Sequence, residues 1–184
     1  MDTADDAASR LALLVEHFRQ HPVTGPEGHS FTSSASQPTR TTAATPVNLA
    51  IVDHISASVR ELADYTHTVN TAADPLPEDA AAVYAWCVAN TRNTPEAEQQ
   101  RRDSIVYRQR LEHAICAGDY SVIPPHRCPA CRTFGLMWRV SQGRAVCTNR
   151  RCVDRDGMSR AWSLGRLAYE HVQSQSKIRS RRAT

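Results

Sequence analysis

Cysteine thiolates at short spacing bind metal, and this chain holds two close pairs. Cys128-Pro-Ala-Cys131 is followed, after fifteen residues, by Cys147-Thr-Asn-Arg-Arg-Cys152. A tetrahedral zinc ion takes four such sulfurs at about 2.3 Å each. Two residues between cysteines let one tight turn aim both sulfurs at a single ion. A hairpin-sized insert then brings the second pair round to close the tetrahedron. The second pair has four intervening residues, a longer knuckle than the first. Four sulfurs leave no open position for water, so the pattern predicts one structural zinc on Cys128, Cys131, Cys147 and Cys152. Two disulfides are the alternative in an oxidising compartment. An iron–sulfur cluster is a weaker one, because its common cysteine spacings differ. His126, two residues before Cys128, is a further candidate ligand, though it reads first as an ordinary histidine after Pro124-Pro125.

The elements that must position these sulfurs are short. Leu136, Trp138 and Val140 alternate with Met137 and Arg139, a strand period. Ser141-Gln142-Gly143 supplies a turn, and Arg144-Ala145-Val146 returns to Cys147. Asp156-Gly157 is another turn signal, and Met158 to Trp162 reads as a third strand. Knuckle, two strands, knuckle and strand is the order of a zinc ribbon. A segment this small buries too little apolar area to fold alone. Metal binding would supply folding free energy on the order of 10 kcal/mol. After the ribbon, Ser163 caps a last helix with Leu164, Leu167, Ala168 and Val172 on one face, placed to pack beside Trp138 and Trp162.

Helices precede the ribbon. Residues 4–21 carry Leu11, Leu14, Val15 and Phe18 at helical spacing. Residues 22–46 are rich in Ser, Thr, Gly, Pro and Ala and read as a disordered linker. A second helix begins near Asn48, with Val52, Ile55, Val59, Leu62, Thr66 and Val69 stepping by three and four. A third is expected over 78–91. A fourth opens at Thr94-Pro95-Glu96 and stops at Gly118. Tyr84, Trp86, Tyr107 and Tyr120 are the expected large packing residues of the bundle, and Cys87 and Cys116 its small ones. His54, His67 and His113 sit singly on helices and read as polar surface or half-buried residues rather than ligands. The predicted fold is therefore mainly α with a small β zinc ribbon: residues 1–21 an N-terminal helix, 22–46 a flexible linker, 47–119 an α-helical bundle, 120–172 the zinc ribbon with its C-terminal helix, and 173–184 a basic tail.

Charge divides the chain. Residues 1–119 hold 9 basic and 16 acidic side chains, a balance of −7, and residues 120–184 hold 13 against 3, a balance of +10. Four thiolates and one zinc would lower the second figure by two. A compact cationic unit beside an acidic one fits contact with a polyanion. Arg132, Arg139, Arg144, Arg150, Arg151, Arg155 and Arg160 are the candidate nucleic-acid-binding residues, with Arg127 beside them. Phe134, Trp138 and Trp162 are candidates for base stacking. No run of eighteen apolar residues occurs and the first residues are acidic, so neither a membrane span nor a signal peptide is expected. A cytoplasmic, reducing location suits free thiolates. No Ser/His/Asp arrangement, glycine-rich phosphate loop or small-molecule site is recognisable, so an enzyme is not expected.

The sequence resembles a loosely defined group of proteins from bacteriophages of actinobacteria. The resemblance covers residues 45–175 and is carried by Val47-Asn-Leu-Ala-Ile-Val-Asp-His-Ile-Ser-Ala-Ser-Val-Arg-Glu-Leu62 followed by the two cysteine pairs. Those proteins join a helical domain to a zinc ribbon, often with a DNA-binding helix-turn-helix after it. The resemblance implies the same architecture and a bacterial or phage-infected cytoplasm. The present chain stops at Thr184 without that last motif, so sequence-specific operator binding is not expected of it. Two functions follow from the residues. One is a zinc-binding accessory or regulatory protein that contacts nucleic acid, DNA before RNA, through the ribbon. The other is a protein–protein interaction module whose ribbon is only a scaffold.

Overall fold

The computed structural model describes residues 3–20 and 46–182, with side chains over 3–16 and 51–181. The elements are α1 (Thr3–Gln20), α2 (Pro46–Val69), α3 (Ala82–Thr91), α4 (Glu96–Cys116), β1 (Leu136–Arg139), β2 (Arg144–Cys147), β3 (Ala161–Trp162) and α5 (Leu164–Arg182). This is the mainly helical fold with a small sheet and a C-terminal helix that the sequence predicts. The linker expected over 22–46 lies outside the described residues, except that Pro46 opens α2. The side chain of Phe18 lies outside them too.

Helix ends follow local chemistry. α1 and α4 both carry two acids in the first turn, where the dipole favours them. α4 ends in a Schellman turn: Asp119 N–H donates to Ala114 O and Gly118 N–H to Ile115 O. Gly118 takes the left-handed conformation that this turn requires, at φ 78°. α3 starts at Ala82 rather than at the expected residue 78. The Asp79 carboxylate accepts from Ala81 N–H and the Asp79 carbonyl from Ala82 N–H, so 79–82 close a turn instead.

Two apolar cores form, and α4 belongs to both. Ala4, Ala7 and Leu11 of α1 pack with Leu62, Tyr65, Val83, Tyr84, Trp86, Cys87 and Val106. On the other side of α4, Tyr107 and Leu111 join Ile123, Leu136, Ala145 and the α5 face of Leu164, Leu167, Ala168 and Val172. α5 continues past 172 to Arg182 through residues that read as a tail. Gln173 donates to Gln100, and Gln100 to Ser176, which ties this extension to α4. Tyr120, expected in the bundle, is 43% exposed instead, because it lies beyond the α4 stop in a 3-10 turn. Cys87 is buried as expected, whereas Cys116, on the last turn of α4, is exposed. No helix among the described residues is long and apolar enough to cross a membrane.

The sheet is antiparallel in the order β1-β2-β3. Its register places Trp138 opposite Ala145 and Ala145 opposite Trp162. Ala145 is fully buried on this face, and both tryptophans pack against the core with α5. The small alanine lets the flanking indoles close over it. Met137 and Val146 pair on the opposite face, as do Arg139 and Arg144.

Candidate metal centre and its basic surround

Local turns bring the four sulfurs together. In the first knuckle Arg132 N–H donates to Cys128 O, and Cys128 N–H to Thr133 O. Arg132 sits at φ 61°, an αL position for a non-glycine residue. The second knuckle is pinned at both ends: Cys147 N–H donates to Arg160 O, and Arg160 N–H to Cys152 O. Asn149 closes its interior, accepting from Arg151 N–H on its side chain and from Cys152 N–H on its carbonyl. Thr148 joins the knuckles by donating its N–H and hydroxyl to Gly135 O. A Cβ on Gly135 would lie 2.7 Å from that hydroxyl.

The sulfurs of Cys128, Cys131, Cys147 and Cys152 all lie within 4.8 Å of one another. Cys128 to Cys152 and Cys131 to Cys147 are both 3.7 Å. A tetrahedron with metal–sulfur bonds near 2.3 Å has edges near ~3.8 Å. A disulfide requires about 2.05 Å, and all four cysteines are free. The group therefore has the size to hold one metal ion. His126 is not part of it. Its Nδ1–H points to Ile123 O at 3.2 Å, and its Nε2 meets the Tyr107 hydroxyl at 2.9 Å, so both ring nitrogens are committed. The Thr133 hydroxyl and N–H hold the Cys131 thiol down to about 6, towards the thiolate. Desolvation and neighbouring sulfurs push Cys152 up to about 12, and desolvation raises Cys147.

All seven candidate arginines are exposed. They divide by partner. Arg132 pairs with Glu170 at 2.8 Å, and Arg160 donates to Val153 O. Arg139, Arg144, Arg150, Arg151 and Arg155 have no side-chain partner among the described residues. Arg139 and Arg144 face each other directly across the hairpin, a like-charge pair that costs stability. The helical half is mixed. There Arg10, Arg102, Arg108 and Arg110 pair with carboxylates, whereas Arg60, Arg92 and Arg101 are exposed with no carboxylate partner among the described residues, and Arg101 lies over the Tyr65 ring. Of the stacking candidates, Phe134 is 57% exposed, whereas Trp162 has its indole nitrogen buried and Trp138 is half-buried.

Two histidine groupings carry no signal in the sequence. His54 is half-buried, within the expectation, but His113 is fully buried and the two do not stand singly: the packing of α2 on α4 brings His54 Nε2 to 2.9 Å from His113 Nδ1. Gln109 spends its amide N–H groups on Ser58 O and Glu61, so its oxygen accepts from Tyr84 OH. Tyr84 must then accept from His113 Nε2–H at 2.6 Å, which leaves His113 Nδ1 to accept from His54. Burial, with His54 and two arginines nearby, lowers His113 to about 3. The second grouping stacks His171 on Tyr107, with ring centres 3.9 Å apart. The spacing of histidines along α2, α4 and α5 foretells neither meeting. No protein-family model, curated protein or solved structure matches the chain.

Proposed function

We propose that the chain holds one structural zinc ion on its four cysteines and uses the ribbon's arginines to contact the phosphates of nucleic acid, DNA before RNA. The donor set supports zinc: four sulfurs at tetrahedral separation suit a soft-tolerant ion and leave no open position for a reaction. Zinc would neutralise two of the four thiolate charges and fix both knuckles. One observation carries the nucleic-acid reading. Four arginines of the helical half are neutralised by carboxylates and three are exposed without one, whereas five exposed, unpaired arginines crowd into residues 139–155 of the ribbon, a span with a single acid, Asp154, among the described residues. An unpaired, weakly hydrated guanidinium is suited to phosphate. The role this supports is accessory or regulatory, without catalysis.

A second reading has its own observation. Val140, Met158 and Met137 are exposed among those arginines, at 67%, 66% and 44%. Apolar groups mixed with arginine suit an acidic protein partner as well. One experiment separates the two. Purified protein should contain close to one equivalent of zinc by elemental analysis, and should bind labelled DNA at low salt with affinity that falls steeply as salt rises. Iron in place of zinc would overturn the metal assignment. A zinc-loaded protein that binds no DNA at low salt would move the protein-interaction reading to first place.

A further inference from the structure

Resting on that nucleic-acid reading, we infer that the cleft between the first knuckle and α5 receives one unpaired base of a single strand, with Phe134 as the stacking surface and His171 as the group that meets the base edge. The cleft encloses about 330 Å³, at the lower end of ligand-site volumes. Arg127, Arg132 and Phe134 form one wall, and Glu170 and His171 of α5 the other. Arg127 is fixed in place: it donates to Arg132 O at 3.1 Å and lies 4.1 Å above the Phe134 ring centre. More than half of Phe134 is nevertheless exposed. A large aromatic ring held at a cleft mouth by a guanidinium offers stacking to any base, because every base has a π-face.

His171 supplies the polar group. Its ring lies flat on Tyr107, with 10° between the planes, so its orientation is set by packing. Its ring nitrogens have no hydrogen-bond partner among the described residues. Burial, with His126 and Arg110 nearby, lowers it to about 4, so the ring is neutral at pH 7 and presents one donor and one acceptor. Both are what the edge of a base requires. Glu170, the cleft's acid, is already bound by Arg132 and Arg166 and does not repel a phosphate strongly. The basic second knuckle is adjacent, since Thr148 is bonded to Gly135 beside Phe134 and leads to Arg150 and Arg151. A strand can lie along those arginines and drop one base into the cleft.

The test measures binding of full-length, zinc-loaded protein to a labelled mixed-sequence single strand and to the duplex of the same sequence. Phe134→Ala should weaken single-strand binding roughly tenfold or more while leaving duplex binding within about twofold. Phe134→Trp should retain it, and His171→Ala should weaken it less than Phe134→Ala does. A 2-aminopurine in the strand should be quenched by the native protein and not by Phe134→Ala. If Phe134→Ala, folded by circular dichroism, binds the single strand as well as the native protein does, the cleft is not a base site and the phosphate reading stands. If the native protein binds neither probe, both fail. If adenosine monophosphate alone binds as tightly as the strand, the cleft serves a free nucleotide and the single-strand inference is overturned.

Discussion

Four cysteine sulfurs within 4.8 Å of one another cannot all be thiolates without a cation between them. The chain addresses this unevenly: Thr133 draws Cys131 towards the charged form, while Cys147 and Cys152 are pushed towards the neutral one. A metal ion would resolve the difference by deprotonating the set. The histidines present the opposite case, held neutral by burial. His54 and His126 are lowered, His171 to about 4 and His113 to about 3. Their folded values lie below the unfolded value of 6.5, so the unfolded chain binds more protons below that pH. Stability is full above about 6.5 and falls as pH drops towards the folded values. For His113 alone the loss at pH 5 is about 2 kcal/mol. Urea unfolding at pH 7.5 and pH 5 should show the lower midpoint at pH 5. His113→Gln should shrink the difference between the two pH values, whatever it does to stability at pH 7.5. An unchanged difference would mean that His113 is already charged in the fold.

At the scale of elements, α4 is the shared wall. Its Val106 side completes the core of α1, α2 and α3, and its Tyr107 and Leu111 side carries α5 and the sheet. The two faces would depend differently on a metal ion held by the four cysteines. The sheet has strands of four, four and two residues, and three of the buried residues in its core are cysteines of the metal group. The α1–α4 core contains none of the four. Removing metal with a chelator under reducing conditions should therefore open β1, β2 and both knuckles while α2 and α3 stay folded. Hydrogen exchange is the direct measurement: amides of 136–147 should lose protection, and those of 58–66 and 83–91 should keep it. Helical circular dichroism should fall by no more than the share that α5 contributes. Loss of protection throughout would show that α4 couples the two faces into one cooperative unit.

Across the whole molecule, the arrangement of charge matters more than its sum. The net charge is only +3, yet the halves carry −7 and +10. In the helical half Asp6, Glu61, Asp103, Glu112 and Asp119 each hold one of that half's own arginines, and the remaining acids keep its balance negative. The ribbon has few acids, and its Glu170 already serves Arg132 and Arg166. Arg150 and Arg151 lie inside the second knuckle, so metal would fix their backbone and reduce the entropy cost of docking. Replacing Arg150, Arg151 and Arg155 together by Gln should weaken DNA binding. It should also flatten the log–log salt slope by roughly two to three, near ~0.9 for each duplex phosphate that is no longer neutralised. Affinity and slope that both stay at native values would place the phosphate-binding surface elsewhere.

Local chemistry was legible without a fold. Paired cysteines at turn spacing, alternation through Leu136–Arg139, the Gly118 stop and the Ser163 start each follow from forces acting within a few residues, and each appears in the structure. The metal group was legible for the same reason, since two knuckles and a hairpin nearly dictate where four sulfurs go. What distant elements do to each other was not. His54 and His113 stand 59 positions apart and meet only because α2 packs on α4. His171 faces Tyr107 because α5 crosses that same helix. Which ribbon arginines are free and which are paired depended on where Glu170 arrived, and which aromatic ring stays exposed depended on which sheet face α5 covered. Sequence spacing determines geometry over one or two turns of chain. Beyond that, packing of apolar faces selects the neighbours, and the neighbours decide whether a titratable or aromatic group is buried, paired or left open to a ligand.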